Sequence, residues 1–158
     1  MLDEKTFKAL LGLLIKILVI AIIFLSLFGF LYGVASWRGA SMEPSIKDGD
    51  LFFFYRREKN FLPGDAIALK TSEGITIRRV TAMAGDLVDV DFYGLRINGA
   101  LQQGSEIYAR SNTENDFPIL IPNGYLFVTA DSDGSIFELI EKKEILGKII
   151  SIIRFRGV

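Results

Sequence analysis

Two short stretches of the chain carry the side chains that could do chemistry. The first, "RGASMEPS" at residues 38–45, presents Ser41 on a Gly-Ala-Ser turn that precedes a proline. The second, "GITIRRVTAMAGD" at residues 74–86, contains the adjacent pair Arg78 and Arg79. A serine hydroxyl becomes an effective nucleophile when a neighbouring group accepts its proton. The first question is therefore which residue could serve as that base.

Composition narrows the candidates for the base. The 158 residues include no histidine and no cysteine, so a Ser-His-Asp triad and a thiolate nucleophile are both excluded. Any base must be a carboxylate, a lysine or an unusual group. The formal net charge of -1 gives no electrostatic reason to expect a nucleic-acid partner.

The acidic stretch that begins at Asp131 is the candidate for a metal site. Its Asp-Ser-Asp-Gly run resembles the start of a calcium loop, but Gly134 stands at position 4 of the run instead of 6. Lys142 also occupies the position at which such a loop needs Glu. We therefore predict a turn here, and we expect neither a metal nor a cofactor.

The N-terminal residues are predicted to anchor the chain in a membrane. Residues 13–37 contain a single charge, Lys16, which is followed by about 20 non-ionic residues, the length that a helix needs to cross a bilayer. A cleavable signal peptide is the competing interpretation, but the apolar run is longer than the usual core of such peptides. We expect a cytoplasmic N-terminus at 1–12, a transmembrane helix at 13–37 and an extracytoplasmic domain at 38–158.

The distribution of basic residues predicts the orientation of this anchor. Lys5, Lys8 and Lys16 lie on the N-terminal side of the apolar run, whereas Arg38 is the nearby base on the other side. The positive-inside rule then places the N-terminus in the cytoplasm, in a single-pass protein of the cell membrane. Trp37 is expected at the outer interface of the lipid bilayer, where its amphipathic ring is favoured.

Beyond residue 37 the sequence is typical of short strands. Segments rich in β-branched and aromatic residues alternate with Gly, Asp, Asn or Pro, which predicts a mostly antiparallel β domain. A hairpin is expected to turn near Tyr93-Gly94, and residues 135–145 form the candidate helix. The run Phe52–Tyr55 has two interpretations, a strand buried on both faces or an apolar edge that dips into the outer leaflet.

Several of these stretches together resemble the type I signal peptidases. "SMEPS" at 41–45 resembles the nucleophile box of that family, and "PGD" at 63–65 resembles the turn before one of its strands. "RRV" at 78–80 stands where the family normally has Lys-Arg-Val. "TADSD" at 129–133 stands where it has Gly-Asp-Asn and further polar residues. With the N-terminal anchor, the resemblance covers nearly the whole chain.

This resemblance implies a signal-peptidase-like antiparallel β fold and a Ser-Lys dyad that removes signal peptides from exported proteins. Ser41 would attack the peptide carbonyl, with its own backbone N–H in the oxyanion hole. A buried, neutral lysine at the position of Arg78 would accept the proton. The remaining site residues that the resemblance implies are Gly39, Met42 and Pro44 for substrate binding and Asp131 and Ser135 for structural support.

Arg78 departs from the family pattern in a way that affects the reaction. A guanidinium stays protonated at any pH at which proteins are folded, so it cannot replace lysine as a base. Lys70 is the nearest alternative. A four-residue turn at 71–74 would pair Lys70 with Ile75. Arg78 would then pair with Ile67, on the opposite face of the hairpin from Lys70.

Two other positions bear on whether the site is intact. Glu43 adjoins Ser41, but it occupies a variable position of the family and is expected to face solvent. The stretch after Asp131 lacks the basic residues of the salt bridges found in the family. Ser135, or less favourably Ser132, matches the serine that orients the family's lysine.

Two functions are compatible with the sequence. The first is an active signal peptidase, because the serine box is intact. The second is an accessory factor in pilus assembly, because family members with damaged dyads are associated with that process beside sortases in Gram-positive bacteria. Arg78 and the altered stretch after Asp131 favour the second function. Its partners would be pilin subunits or exported proteins, together with the lipid bilayer. An Arg78 introduced by engineering is a third interpretation, which the altered stretch disfavours.

Overall fold

The computed structural model describes residues 3–72, 74–109 and 117–154. Its N-terminal element is the helix α1, Glu4–Leu31, whose 28 residues extend over about 42 Å at 1.5 Å per residue. No side chain of α1 is buried, and the helix is long and apolar enough to cross a membrane. An apolar surface of this kind is stable in the hydrocarbon core of a bilayer, since all helical backbone groups are paired.

The bounds of α1 differ from the helical range 13–37 predicted from the sequence. Tyr32 leaves the helical conformation at φ -118° and ψ 153°, and Tyr32–Ser36 forms the strand β1. β1 pairs with the strand β2, Leu51–Tyr55, which supplies partners for its backbone groups. The predicted helical range is therefore corrected to Glu4–Leu31, with a strand following directly.

Aromatic contacts and hydrogen bonds brace the junction between α1 and the sheet. The ring of Tyr32 lies 5.3 Å from that of Phe28 in the helix and 5.5 Å from that of Tyr55 in β2, measured between centroids. The backbone N–H of Arg56 donates to the carbonyl of Leu31 at 2.8 Å, and its Nε donates to the carbonyl of Tyr32 at 3.1 Å. The helix and the sheet are thus joined without a loop.

The other strands are short, as the spacing of turn residues predicts. Within the described residues they are β3 Ala66–Thr71, β4 Gly74–Met83, β5 Leu87–Asp91, β6 Gly94–Ile97, β7 Ala100–Leu101, β8 Ile119–Leu120, β9 Tyr125–Thr129, β10 Phe137–Glu141 and β11 Ile145–Ile153. Two 3-10 helices, Ser105–Tyr108 and Lys142–Glu144, lie between them.

The strands form two antiparallel sheets. Seven of them make the main sheet in the order β1-β2-β11-β3-β4-β9-β10, and four make a smaller sheet in the order β7-β6-β5-β8. The β3–β4 hairpin has the register that the sequence predicts, with Ile67 opposite Arg78 and Lys70 opposite Ile75. The predicted fold class, mostly antiparallel β with one N-terminal apolar helix, is confirmed.

The predicted hairpin turn near Tyr93-Gly94 is also present, between β5 and β6. Asp91 pairs with Gly94, and the Asp91 carboxylate accepts hydrogen bonds from the backbone N–H groups of Tyr93 and Gly94 at 2.8 and 3.1 Å. Asn98 and Gly99 form the next turn with positive φ angles of 51° and 83°, a conformation that Asn and Gly adopt readily.

The central strands of the main sheet bury side chains on both faces. Ala68 and Ile77 belong to a cluster that also contains Trp37, Met42, Ile46, Phe52 and Phe54. Ile67 and Val80 face the other way, into a cluster with Phe61, Leu69, Leu126, Val128 and Ile140. Because side chains alternate along a strand, the loop that carries Ser41 packs on one face only, the face of Ile77.

Two predictions about single segments are wrong. Trp37, expected at the membrane interface, is only 4% exposed and packs inside the first cluster. Residues 135–145, expected to be helical, instead form β10 and a 3-10 turn, because β10 pairs with β9 along its whole length. The run Phe52–Tyr55 is intermediate between its two interpretations, since Phe52 and Phe54 are fully buried whereas Phe53 and Tyr55 are half-buried.

Candidate active site

Ser41 lies on a loop that is fixed at both ends, between β1 and β2. The backbone N–H of Trp37 donates to the carbonyl of Asp50 at 2.8 Å, and the N–H of Gly49 donates to the carbonyl of Trp37 at 3.0 Å. Inside the loop, the N–H of Gly39 donates to the Asp48 carboxylate at 2.8 Å. These bonds hold the chain around Ser41 in one conformation.

Buried side chains on either side of Ser41 add to this restraint. Met42 is completely buried and Ile46 nearly so, in the cluster that contains Ile77. Of the other predicted substrate-binding residues, Gly39 has a φ of 129°, which a side chain would disfavour, and Pro44 follows a cis peptide bond on the exposed part of the loop. The loop is therefore anchored by its apolar residues Met42 and Ile46.

The Ser41 residue itself is half-buried, and its backbone is held by the stretch after Asp131. The N–H of Ser132 donates to the carbonyl of Ser41 at 3.0 Å, and the Ser132 hydroxyl donates to the carbonyl of Ala40 at 2.5 Å. Among the described residues, the Ser41 hydroxyl makes no hydrogen bond. A hydroxyl without an acceptor for its proton is not activated as a nucleophile.

Arg78 has a well-defined set of partners that does not include Ser41. Its Nη1 donates to the Thr76 hydroxyl at 2.9 Å and to the carbonyl of Ile77 at 2.8 Å. Its Nη2 lies 3.3 Å from a carboxylate oxygen of Glu138. Its Nε is buried and has no hydrogen-bond partner among the described residues. The guanidinium is thus a hydrogen-bond donor throughout and cannot accept a proton from serine.

Lys70 and Glu43, the alternative bases, do not take the place of a lysine at position 78. Lys70 is exposed and sits opposite Ile75, on the face of the β3–β4 hairpin that the register predicts. Glu43 is half-buried beside the nucleophile loop. Neither side chain forms a hydrogen bond with Ser41 within the described part of the chain.

A network around Arg79 is the part of the site that the sequence did not reveal. Its Nε and Nη2 donate to the two carboxylate oxygens of Asp131 at 2.6 and 2.5 Å, the bidentate arrangement that makes the strongest ion pairs. Nη2 also donates to the Ser45 hydroxyl at 2.9 Å, and Nη1 donates to the carbonyl of Gly64 at 2.7 Å. The Ser45 hydroxyl in turn donates to Asp131.

This network ties the nucleophile loop to β4 and to the stretch after β9. Hydrogen bonding to Asp131 raises the pKa of Arg79 above its already high value, so the guanidinium stays charged. Tyr108 adds a further link, because its hydroxyl donates to the carbonyl of Ala130 at 2.5 Å. Burial raises the pKa of this tyrosine, which keeps it neutral. The predicted supporting residue Asp131 thus accepts bonds from two elements.

Ser135 lies in a local turn and does not reach Arg78. Its backbone N–H and hydroxyl both donate to the Asp133 carboxylate, at 2.9 and 2.6 Å, and these bonds lower the pKa of Asp133. The turn predicted for this stretch is therefore present. Within residues 3–72, 74–109 and 117–154 there is no group of three or more His, Cys, Asp or Glu residues that could hold a metal ion.

A cleft of about 610 Å³ lies beside Arg78. The end of β1 and the residues after it contribute Ser36, Trp37 and Arg38, while the first half of β4 contributes Ile75, Thr76 and Arg78. The turn between β3 and β4 closes one end with Thr71 and Ser72. The cleft is therefore lined mainly by hydroxyl groups and two guanidinium groups.

The chain is similar to known signal peptidases over most of its length. It is 33% identical to signal peptidase I P of Bacillus subtilis subsp. natto over 151 residues, which cover 84% of this chain and 80% of that protein. It is 28% identical to signal peptidase I of Bacillus licheniformis over 156 residues, which cover 84% of this chain and 83% of that protein. A crystal structure of a signal peptidase I from Enterococcus faecalis, 18% identical, superposes with a TM-score of 0.43 and covers 59% of this chain and 98% of that chain.

The family match confirms the resemblance that the motifs indicate. Residues 10–154 match the family described as signal peptidase, peptidase S26. This range includes most of α1, both sheets and the loop that carries Ser41. Members of that family act on signal-peptide-bearing proteins and carry an N-terminal membrane anchor, which here is α1. Since the match extends over more than half of the sequence, the chain belongs to the signal peptidase family, peptidase S26.

Proposed function

We propose that this member of the family hydrolyses signal peptides poorly or not at all, and that it acts as an accessory factor in pilus assembly. The observation that carries the proposal is the arginine at the position of the general base. Arg78 uses its Nη1 and Nη2 as hydrogen-bond donors to Thr76, Ile77 and Glu138. A guanidinium has no lone pair available near neutral pH, so Ser41 lacks a base.

The proposed location follows from the anchor. With Lys5, Lys8 and Lys16 on the cytoplasmic side, α1 spans the cell membrane once and the sheets lie outside the cytoplasm. Pilin subunits or other exported proteins would meet the protein there, at the surface of the lipid bilayer. Family members with damaged dyads that take part in pilus assembly support this role by analogy.

An active signal peptidase is the second candidate, and one observation favours it. The Ser41 loop is intact in sequence and firmly held in structure, through Met42, Ile46 and the network of Asp131. An active enzyme would need a base that is brought to Ser41 only when a substrate is bound. The genes adjacent to this one would help to distinguish the roles, since pilin and sortase genes favour assembly and housekeeping neighbours favour processing.

A cleavage assay tests whether catalysis is impaired. Full-length protein in detergent is incubated with a precursor that carries an Ala-x-Ala site, and we expect little or no product. Arg78→Lys is expected to raise the cleavage rate at least about tenfold, because a positioned base contributes roughly 10²–10⁴ in rate. The double variant Ser41→Ala, Arg78→Lys is the control and should lose that gain.

Rapid cleavage by the wild-type protein that disappears in Ser41→Ala would show that the enzyme is active and would overturn the proposal. An Arg78→Lys variant that folds but stays inert would show that the altered stretch after Asp131 also impairs catalysis. A folded state is verified by an unchanged melting temperature for each variant.

A further inference from the structure

The cleft beside Arg78 is bordered by strand edges that lack a neighbour. β9 pairs with β4 only from Arg79 onward, so Gly74–Arg78 has no strand on that side within the described residues. The backbone groups of Val80 bond to Asp65 and Gly64, on the side of β3. Because backbone groups alternate sides along an antiparallel strand, those of Ile75 and Ile77 face away from β3, toward the cleft. Of these, the Ile77 carbonyl already accepts a hydrogen bond from Nη1 of Arg78.

The described lining of the cleft is positively charged, and only one of its two guanidinium groups has an ion-pair partner among the described residues. Arg38 and Arg78 line it, and no carboxylate is present among the described residues that do so. Arg38 is exposed and forms no ion pair in the part of the chain that the structure describes. A ligand with an anionic group would therefore complement the positive charge of the cleft.

Two buried donors beside the cleft are also unsatisfied. The indole N–H of Trp37 and the Nε of Arg78 are buried without a hydrogen-bond partner among the described residues. The Nε and Nη2 of an arginine form the fork that binds a carboxylate with two bonds. At 3.3 Å, the bond from Nη2 to Glu138 is longer than the 2.7–2.9 Å usual for charge-assisted bonds. Glu138 occupies this fork incompletely and is half-exposed, so a second carboxylate can displace it.

We propose that the cleft binds an extended peptide segment that carries an acidic side chain, with the carboxylate held by Arg78 and Arg38. This inference rests on the proposed function, in which the site binds peptides without cutting them. The peptide backbone adds a strand to the edge of β4, where it pairs with the backbone of Ile75 and the N–H of Ile77, a common mode of peptide recognition. A wholly apolar segment would leave Arg38 without a counter-charge and Arg78 with only its long bond to Glu138. A lipid headgroup has no peptide backbone that could pair with this edge of β4.

Peptide binding to the full-length protein in detergent tests the proposal. The probes are capped octapeptides of Ala, Ser and Val with a neutral dye, in which a single Glu is placed at each position in turn, and each has a Gln counterpart. We expect one position at which the Glu peptide binds at least about tenfold more tightly than the Gln peptide, measured by fluorescence anisotropy.

Three variants and one control connect that difference to the cleft. Arg78→Gln is expected to abolish the preference for Glu, and Arg38→Gln, at an exposed position that does not threaten the fold, is expected to reduce it. Glu138→Gln removes the competing carboxylate and should strengthen binding of the Glu peptide several-fold. Arg57→Gln changes the charge equally but lies outside the cleft, over the ring of Phe30, and should have no effect.

Equal affinity for Glu and Gln peptides at every position would overturn the inference, as would a preference that survives in the Arg38→Gln, Arg78→Gln double variant. Binding to phosphatidylglycerol nanodiscs that needs both arginines, without any peptide binding, would assign the cleft to a lipid headgroup and overturn it too. Hydrolysis of the peptides by the wild-type protein is a separate result, which would overturn the proposed function.

Discussion

Two arginines that are adjacent in the sequence have opposite roles in the structure. Arg79 forms a bidentate ion pair with Asp131 and reaches the nucleophile loop through Ser45. Arg78 points to the other face of β4, where it bonds mainly to its own strand and loosely to Glu138. Arg79 thus stabilises the nucleophile loop, whereas Arg78 forms no hydrogen bond with that loop in the described part of the chain.

At the residue scale, we predict that Asp131→Asn destabilises the protein. The substitution removes the negative charge that faces Arg79, and Asp131 is only 12% exposed, so the guanidinium is left without its counter-ion. Hydrogen bonds to charged groups contribute about 1.5–3 kcal/mol each, so a loss of at least about 2 kcal/mol is expected. A melting curve in detergent should show a melting temperature lowered by about 5 °C.

Asp133→Asn is the matched control for this variant. Asp133 lies in the same stretch, but its carboxylate accepts hydrogen bonds only from Ser135 among the described residues, in a turn that Asn can form equally well. Its melting temperature should stay within about 1–2 °C of the wild-type value. Identical melting of the two variants would mean that the Arg79–Asp131 pair contributes nothing to stability.

The sequence predicts the site only where its contacts are local or follow from a register. The faces of Lys70 and Arg78 were predictable, because a four-residue turn determines the pairing of β3 with β4. The ion pair of Arg79 with Asp131 was not predictable, since Asp131 follows the end of another strand, β9. Nothing in the residues between the two positions indicates that they pair. Trp37 illustrates the same limit, because its apolar neighbours in sequence indicate a membrane whereas its neighbours in space form a core.

At the element scale, the sheet overrides local preference. Residues 135–145 have the charged and apolar residues of an amphipathic helix, yet Phe137–Glu141 pairs residue by residue with β9. Ile140 then enters the core cluster of Val80 and Leu126. Helix propensity amounts to tenths of a kcal/mol per residue, whereas burying one large apolar side chain contributes about 1.5–3 kcal/mol.

The contact between β6 and the 3-10 helix Ser105–Tyr108 gives a prediction for a pair of glycines. A Cβ added at Gly94 would lie 2.6 Å from the carbonyl and the hydroxyl oxygen of Ser105, whereas one added at Gly99 would meet nothing within 4 Å. Both residues have positive φ angles, 134° and 83°. Gly99→Ala should therefore cost about 1–2 kcal/mol from backbone strain alone, and Gly94→Ala should cost clearly more.

Thermal denaturation of the two variants in detergent measures the difference. Since Tyr108 links the same 3-10 helix to Ala130, Gly94→Ala should also loosen the stretch that carries Asp131. Hydrogen exchange should then rise in residues 130–135 of Gly94→Ala and not in those of Gly99→Ala. Equal destabilisation by both substitutions would contradict the close approach of Gly94 to Ser105.

At the scale of the whole molecule, the absence of cysteine makes the proposed orientation easy to test. Single cysteines are introduced by Thr6→Cys in α1 and by Gln103→Cys at an exposed position of the outer domain. In intact cells, a membrane-impermeant maleimide is expected to label the second and not the first, because the positive-inside rule keeps the N-terminus in the cytoplasm. Labelling of Thr6→Cys but not of Gln103→Cys would show the opposite orientation and contradict the prediction.

The direct junction between α1 and β1 has a consequence for which targets the protein can reach. Leu31 ends the helix, Tyr32 begins the sheet, and rings and hydrogen bonds brace the two. The chain from Leu31 to Ser41 cannot extend beyond about 35 Å, even when fully stretched. Under the proposed membrane orientation, a peptide can therefore reach Ser41 only within that distance of the end of α1, whatever its side chains.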